Sequence, residues 1–546
     1  MSKVVTVEEM RAIEAEANEN GTSYEAMMEA AGRGVAQAVI IAHSHTGTPA
    51  VLGLVGSGNN GGDTLIALEL LAKAGWRAKA YLAGHRPEGE RLSERLTQAG
   101  GEITSAMQDQ DFHQLAKLIE DSQVLLDGVL GTGIRLPLRE DIAQILMTTK
   151  QTVERMPKPP RVVAVDCPSG VDCDSGAAAE QTIPADLTVC MHALKIGLLN
   201  IPASRLVGEI HLVPIGLKEP GLSDKNLKRG IADPEWTREA LPKRPRDAHK
   251  GTFGTVLIAA GSVNYTGAAL LAGKAAYRVG AGLVTLAVPA PLHAPLAGHF
   301  PEATWLLLPH EQGVIADGAQ EIIYQNSDRA TAFLIGPGWG QEETTRLFLS
   351  HLLDEKSGHK RGNIGFMGAS DERPLSNGHL PPLVVDADGL KLLTKIPDWA
   401  KKLPKGSILT PHPGEMAILT GEKIDAIQAR RVQTAEKYAQ EWGQIVVLKG
   451  AYTVIAEPGG ETMVIPVATP ALARAGTGDV LAGMIAGLLA QKMPAFHAAV
   501  TGAWLHAACG QTALNNLGNA ASVLAGDVLA AIPQVITEIN KDDLDA

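Results

Sequence analysis

Gly476-Thr477-Gly478-Asp479 stands directly before the apolar run 480–490. Glycines at the opening of a helix leave backbone N–H groups and the positive end of the dipole open to an anion, because no Cβ blocks its approach. A carboxylate at the same place repels a bound phosphate unless it takes a proton or faces a metal. An acid that merely complements the helix dipole is the simpler alternative for Asp479, so its company decides. Gly336-Pro337-Gly338-Trp339-Gly340 follows an apolar run and lets a ligand come close to the backbone. Asp386-Ala387-Asp388 puts two carboxylates at the end of another run, and Thr410-Pro411-His412-Pro413-Gly414-Glu415 presents a histidine from a stretch stiffened by prolines. Lys449-Gly450-Ala451-Tyr452-Thr453 offers a cation and a hydroxyl for a nucleotide phosphate, with a solvated strand-end lysine as the alternative. The stretch 267–275 is no Walker A loop: its spacing differs, and Ala275 stands where Ser or Thr would bind magnesium.

A second constellation lies nearer the N-terminus. Gly56-Ser57-Gly58-Asn59-Asn60-Gly61-Gly62-Asp63 satisfies G-x-G-x-x-G after a strand-like run and opens a helix-like one, the pattern of a phosphate-cradling turn. A dehydrogenase needs an acidic residue about 20 positions further on to hold a ribose. Here the next strand-like run ends at His85-Arg86, which weakens a hydride-transfer role and leaves Arg86 able to tolerate a 2′-phosphate. Asp127 and Asp166 each end a strand-like run, the first followed by Gly131-Thr132-Gly133-Ile134-Arg135-Leu136-Pro137, the second by Cys167-Pro168-Ser169-Gly170. In a parallel sheet such ends face one crevice, where Asn, Asp and Ser oxygens suit a hard cation and a further carboxylate can do acid–base work. Strand-end aspartates also cap ordinary turns, but three such loops in one domain favour a site. Cys167 has no histidine near it in sequence and reads as a packed thiol.

Positioning these groups requires a particular framework. Short apolar runs at 51–55, 124–127 and 162–166, and again at 254–261, 333–336, 383–386 and 445–449, alternate with helix-like stretches. That alternation predicts α/β architecture, with mostly parallel sheets covered on both faces. A chain of 546 residues exceeds what one core organises, so two domains are expected. Apolar periodicity fades from 217 to 246, which sets the domains at 1–217 and 249–546, with 218–248 as linker and domain entry. The net charge of −12 argues against a general nucleic-acid or membrane-surface binder and leaves small molecules as partners. Four cysteines without a C-x-x-C pair fit a reduced, cytoplasmic compartment. Thr6 and Glu9 are spaced as a capping box, so the acidic N-terminal segment reads as a helix rather than a signal peptide, and no run is long and apolar enough for a membrane span.

Taken together and in this order, the motifs resemble the bifunctional NAD(P)H-hydrate repair enzymes over nearly the whole chain. The matching residues are 58–63, Asp127 with 131–133, and 166–170 in the first half. In the second they are 249–251 through 260–262, 336–338, 386–389, 410–415 and 476–479. The resemblance implies an N-terminal Rossmann-like three-layer α/β/α epimerase domain and a C-terminal ribokinase-like α/β dehydratase domain. It implies K+ held by Asn60, Asp127 and Ser169, and the hydrated nicotinamide nucleotide (NADHX or NADPHX) held by Asn59, Asn60, Gly61, Gly62, Asp63, the loop 131–137 and Asp166. In the dehydratase it implies substrate contacts from Ala269, Gly338, His412 and Asp479, and adenine-nucleotide contacts from Lys449, Gly450, Ala451, Tyr452, Thr453 and Gly478. Asp166 and Asp479 are the expected catalytic residues. ADP, with Mg2+, is the phosphoryl donor expected of the bacterial branch, ATP that of the eukaryotic one, and a homo-oligomer is expected. An ATP-dependent small-alcohol kinase carrying a nucleotide-binding N-terminal module would use the same Gly-Thr-Gly-Asp loop and is the alternative.

Overall fold

The computed structural model describes residues 2–43, 48–87, 89–217, 221–354 and 380–541. They form two compact units, one of residues 2–230 with 428–430, the other of 231–427 with 431–546. The division falls inside the stretch 218–248, whose residues 218–220 lie outside the described ones. That stretch is not featureless: it carries the helix Pro234–Ala240, capped by Asp233, whose side chain accepts from the Trp236 N–H at 2.7 Å.

The first unit is built on a seven-stranded, all-parallel sheet. Its order is Glu102–Ser105, Arg77–Leu82, Ala50–Val55, Val124–Gly128, Arg161–Val165, Leu187–Met191, Glu209–Val213. Side chains alternate between two cores, as period two requires: Val51 and Val55 face the helices Tyr24–Ala42 and Asn59–Lys73, while Leu52 and Leu54 face His113–Glu120 and Glu140–Arg155. Both faces are apolar, which is why these strands read as unbroken Val and Leu runs. The chain leaves Ala50–Val55 toward one neighbour and returns through the other, so the crevice between the loops 56–59 and 129–137 is the topological switch point where α/β sheets bind ligands. The expected capping box forms at the start of helix Val7–Glu19, where the Glu9 N–H donates to Thr6 Oγ1 at 3.1 Å and the Thr6 N–H to Glu9 Oε2 at 2.7 Å.

The second unit's sheet runs Thr462–Val464, Val454–Ala456, Ile445–Leu448, Ile408–Leu409, Leu383–Val385, Ala332–Ile335, Thr255–Ala259, Leu283–Pro289, Thr304–Leu308. Its pairs are parallel from Ile445–Leu448 to Thr304–Leu308 and antiparallel at the other edge. Val256 and Ile258 point to the helices Gly267–Arg278, Thr477–Ala490, Ala495–Leu517 and Ala525–Ile539; Leu257 and Ala259 point to Ala319–Asn326 and Glu343–Leu353. All four cysteines are buried and free, and among the described residues no helix is long and apolar enough to cross a membrane.

Candidate active sites

In the first unit every expected residue lies at the carboxyl ends of the central strands. Gly58 caps helix Asn59–Lys73 without a side-chain bond, so the first turn keeps its N–H groups for an anion. Gly61 and Gly62 are buried and tightly packed: a Cβ on Gly61 would fall 2.0 Å from the Gly56 carbonyl, and one on Gly62 2.7 Å from Met28 Sδ. Arg86 is not available for a 2′-phosphate. Its Nε donates to Gly56 O at 2.9 Å, its Nη2 to Gly58 O at 3.1 Å, and Nη1 pairs with Glu90, so the guanidinium clasps the glycine-rich loop from within.

Three oxygens collect behind that loop. The Asn60 amide donates to Leu130 O (3.0 Å) and Val165 O (2.7 Å), leaving its carbonyl oxygen as the free end. Asp127 Oδ2 accepts the Ser169 N–H at 2.8 Å, and Ser169 Oγ accepts the Leu130 N–H at 2.9 Å. Asp127 is fully buried, and its Oδ1 has no hydrogen-bond partner among the described residues. Burial raises its carboxyl, opposed by the Ser169 bonds. An orphaned buried carboxylate oxygen, with amide and hydroxyl oxygens from the same loops, is a donor set that suits a hard cation. The loop 131–137 is half to fully exposed, with Gly131 next to Asn60 and Gly133 next to Arg11.

Asp166 sits at the end of Arg161–Val165 with φ +66°, a left-handed conformation that an Asp tolerates better than most residues. Its Oδ1 accepts the Met191 N–H at 2.9 Å and pairs with Lys195 Nζ, which also donates to Met191 O at 3.1 Å. Its Oδ2 has no hydrogen-bond partner among the described residues. Lys195, 1% exposed, was not anticipated: at the end of a short run it reads as a solvated lysine, and only the sheet pairing of Leu194–Lys195 with Val4–Val5 places it inside. Burial alone would lower its ammonium, but the Asp166 carboxylate outweighs that and holds it above its usual value. Glu14, equally unforeseen, lines a cavity of about 350 Å³ together with Asn59, Asp63 and Met191.

The second unit gathers its groups around the start of helix Thr477–Ala490. Gly476 caps it with φ +88°, and Thr477 Oγ1 bonds back to Leu472 O and Arg474 O at 2.9 and 2.8 Å, so the cap leaves the helix mouth open. Lys449 Nζ donates to Asp386 Oδ1 at 2.7 Å and lies 3.6 Å from Glu415 Oε2; Thr410 Oγ1 donates to the same Asp386 oxygen at 2.7 Å. A Cβ on Gly478 would come within 3.6 Å of Lys449 Nζ, so the glycine leaves room where cation and helix N-terminus converge. Asp479 is pushed up to about 7, by burial first and then by Asp386 and Asp388, against the pull of Lys449. Asp388 is anchored by the Gly340 N–H and Lys391 Nζ, both at 3.0 Å. Gly336, φ +110°, has the Asp386 carbonyl 2.0 Å from where a Cβ would be, so only glycine lets the two strand ends approach. Gly338 packs in the same way on Tyr265 and Ala268.

Beside this cluster opens a cavity of about 660 Å³ whose lining includes the polar His412, Lys449, Thr453, Thr477 and Arg474 and the apolar Val467, Pro470, Leu472, Leu481 and Ala503. A lining that mixes cationic and hydroxyl groups with apolar side chains suits a nucleotide. Tyr452 does not line it: φ +54° turns the ring inward, where it is buried. Ala269 is also fully buried, its methyl beneath Gly261. His412 caps helix Pro413–Thr420, its Nδ1 accepting from the N–H groups of Gly414 (3.0 Å) and Glu415 (3.3 Å), which leaves the other nitrogen toward the cavity side and Glu415. Burial, partly countered by Glu415, lowers its pKa, so the imidazole is neutral at pH 7. His506, buried against the Thr477 backbone, is a further lining residue that no sequence signal marked.

Comparison with known proteins divides the chain in the same two parts. A profile described as NAD(P)H-hydrate dehydratase matches residues 256–360 and 372–534, and one described as YjeF-related protein N-terminus matches 24–197. The bifunctional NAD(P)H-hydrate repair enzyme of Moorella thermoacetica is 33% identical over 499 residues, which cover 90% of this chain and 88% of that protein. The same enzyme of Escherichia coli is 30% identical over 501 residues, 90% of this chain and 86% of that protein. Among solved structures, the ADP/ATP-dependent NAD(P)H-hydrate dehydratase of Bacillus subtilis, co-crystallized with ATP/Mg2+, is 31% identical, with a TM-score of 0.45, covering 57% of this chain and 98% of that one.

Proposed function

Because the chain belongs to the family of bifunctional NAD(P)H-hydrate repair enzymes, we propose that its two clusters carry the family's two reactions. The first unit epimerises the R and S forms of the hydrated dihydronicotinamide nucleotide at C6, and the second dehydrates the S form at the expense of an adenine nucleotide. ADP is the donor we assign, giving AMP and phosphate.

Hydroxide leaves C6 poorly, so the hydroxyl is first phosphorylated. Asp479 takes its proton as the oxygen attacks the terminal phosphorus of ADP, and AMP departs. The N–H groups at 476–478 and the Lys449 ammonium hold the transferring phosphoryl oxygens, which carry the charge of a loose transition state. The N1 lone pair then expels phosphate, and loss of a C5 proton restores the double bond. The observation that carries this reading is Asp479 pushed up to about 7 beside a helix mouth that favours anions, a base matched to neutral pH. A Mg2+ brought by the nucleotide would neutralise phosphate charge. The neutral His412 and the backbone of 449–453 would contact substrate and nucleotide.

In the first unit, Asp166 is the proton-transfer group, fixed by Met191 and Lys195 through one oxygen and free at the other. Asn60, Asp127 and Ser169 would hold K+, which would supply fixed positive charge near the nicotinamide. Residues 59–63 and 131–137 would bind the nucleotide from either side of the switch-point crevice. The domains we assign are 1–217 and 249–546, with 218–248 as linker and domain entry, and we assign the protein to the cytoplasm as a homo-oligomer.

Phosphorus NMR of a reaction with S hydrate and ADP tests the reading against a kinase. AMP and inorganic phosphate in equal amounts, with dihydronicotinamide regained, are expected. An accumulating stable phosphate ester would instead identify the second unit as a small-alcohol kinase.

A further inference from the structure

We propose that Asp63 is a second catalytic carboxyl of the epimerase site, giving and retaking the proton of the substrate's ring nitrogen while Asp166 handles the proton of the C6 hydroxyl. This rests on the assignment of Asp166 to proton transfer.

Asp63 lies in the first turns of helix Asn59–Lys73, is 8% exposed, and lines the cavity shared with Glu14, Asn59 and Met191. Among the described residues no hydrogen bond or ion pair reaches its carboxyl. A buried, unpartnered carboxyl is costly to a fold and is retained where it meets a ligand. Asp166 enters the same neighbourhood from another strand, held through Oδ1 by the N–H of Met191, itself a cavity residue, and by Lys195. The two carboxyls are dissimilar in their company. Asp166 has a buried ammonium against it, whereas burial, then the negative charges of Asp166 and Glu14, keep Asp63 well above the usual carboxylate range, with Lys195 opposing. Glu14, raised by burial and by Asp166, and Arg11 beside it complete the charged surroundings. A carboxyl without a partner beside one paired to a buried ammonium can divide the work of acid and base.

The chemistry of the substrate asks for one. C6 carries both a hydroxyl and the ring nitrogen, so its configuration is lost when the ring opens. The Asp166 carboxylate takes the hydroxyl proton, C6=O forms, and the C6–N1 bond breaks with its electron pair going to N1. N1 would leave as an anion, and the Asp63 carboxylic acid supplies its proton. After rotation about C5–C6 each step reverses on the other face: N1 returns its proton to Asp63 as it attacks C6, and Asp166 gives its proton back to the oxygen. Both carboxyls end as they began, so no external acid, base or oxidant is needed.

The test uses the full-length protein with R-form NADH hydrate, K+ and no nucleotide, and follows appearance of the S form by chromatography. Asp63→Asn keeps the size and polarity of the side chain but cannot donate its proton, and kcat for epimerisation should fall by about 10²–10⁴-fold with KM little changed. Asp63→Glu should recover part of the loss. Melting curves of the same preparations report folding of the first unit, and nucleotide-dependent dehydration of S hydrate reports the integrity of the second. An Asp63→Asn protein that epimerises at the wild-type kcat, or loses only KM, overturns the proposal while a dead Asp166→Asn protein leaves the Asp166 reading intact. An active Asp166→Asn protein overturns that reading and the couple with it.

Discussion

An Asp479→Asn protein should dehydrate S hydrate about 10²–10⁴-fold more slowly than wild type, the usual worth of a positioned general base, while binding nucleotide with little change. The amide keeps the shape of the carboxylate but cannot take the hydroxyl proton, and the phosphoryl-holding groups, Lys449 and the N–H groups at the helix mouth, are untouched. The same substitution should stabilise the fold. Burial and the charges of Asp386 and Asp388 raise Asp479 to about 7, so the folded state binds more protons than the unfolded state between the unfolded value of about 4 and that of the folded protein. Stability of the wild type therefore falls as pH rises through this window and levels off above it. The asparagine protein escapes that loss, so its advantage in melting temperature should grow from pH 4 to 7 and then hold constant. In the wild type, kcat/KM for dehydration should rise with pH through a limb near 7, and the limb should vanish in Asp479→Asn. A pH-independent melting difference, or a limb that survives the substitution, would contradict the assignment.

Asp166→Asn should reduce epimerisation to the spontaneous rate, but it also strands a lysine that is 1% exposed without its counter-charge. Breaking a buried pair from one side costs about 3–5 kcal/mol, whereas replacing both partners by neutral residues is often neutral. Asp166→Asn and Lys195→Met should thus each lower the unfolding midpoint, and the double substitution should regain most of it. Activity should follow a different rule: the double variant should remain inactive, because the proton-transfer group is gone. Denaturant unfolding and nucleotide-free epimerisation on the four proteins separate the two effects. Recovery of epimerisation in the double variant would show that Asp166 acts only through the fold.

The sequence patterns foretold the strands and the loops after them because apolar runs ending in Gly, Asp or Lys are what a doubly covered parallel sheet requires. Asp127, Asp166, Asp386, Lys449 and Asp479 all emerge at carboxyl ends of strands or at the helix mouth beside them. Less legible was what each glycine or side chain does. Gly61 and Gly62 read as ligand contacts, and the structure adds a packing role against Gly56 and Met28; Arg86 reads as a phosphate cation yet is spent on the carbonyls of its own loop. Tyr452 and Ala269 are turned into the core by backbone geometry that no motif records. Lys195 and Glu14 were invisible for the opposite reason. A charged residue is ordinarily solvated, and only distant pairing, Val4–Val5 with Leu194–Lys195, reveals that these face Asp166. Val454–Ala456 runs antiparallel to its neighbours Ile445–Leu448 and Thr462–Val464, which periodicity alone does not signal.

The central claim, that the two units repair both epimers in sequence, is tested most directly by dihydronicotinamide absorbance after adding ADP to an R and S hydrate mixture with K+ and Mg2+. The expected course has two phases: rapid recovery of the S share, then complete recovery of the remainder at a rate set by enzymatic epimerisation. A course that stops at the S share, or continues only at the spontaneous rate, would contradict it.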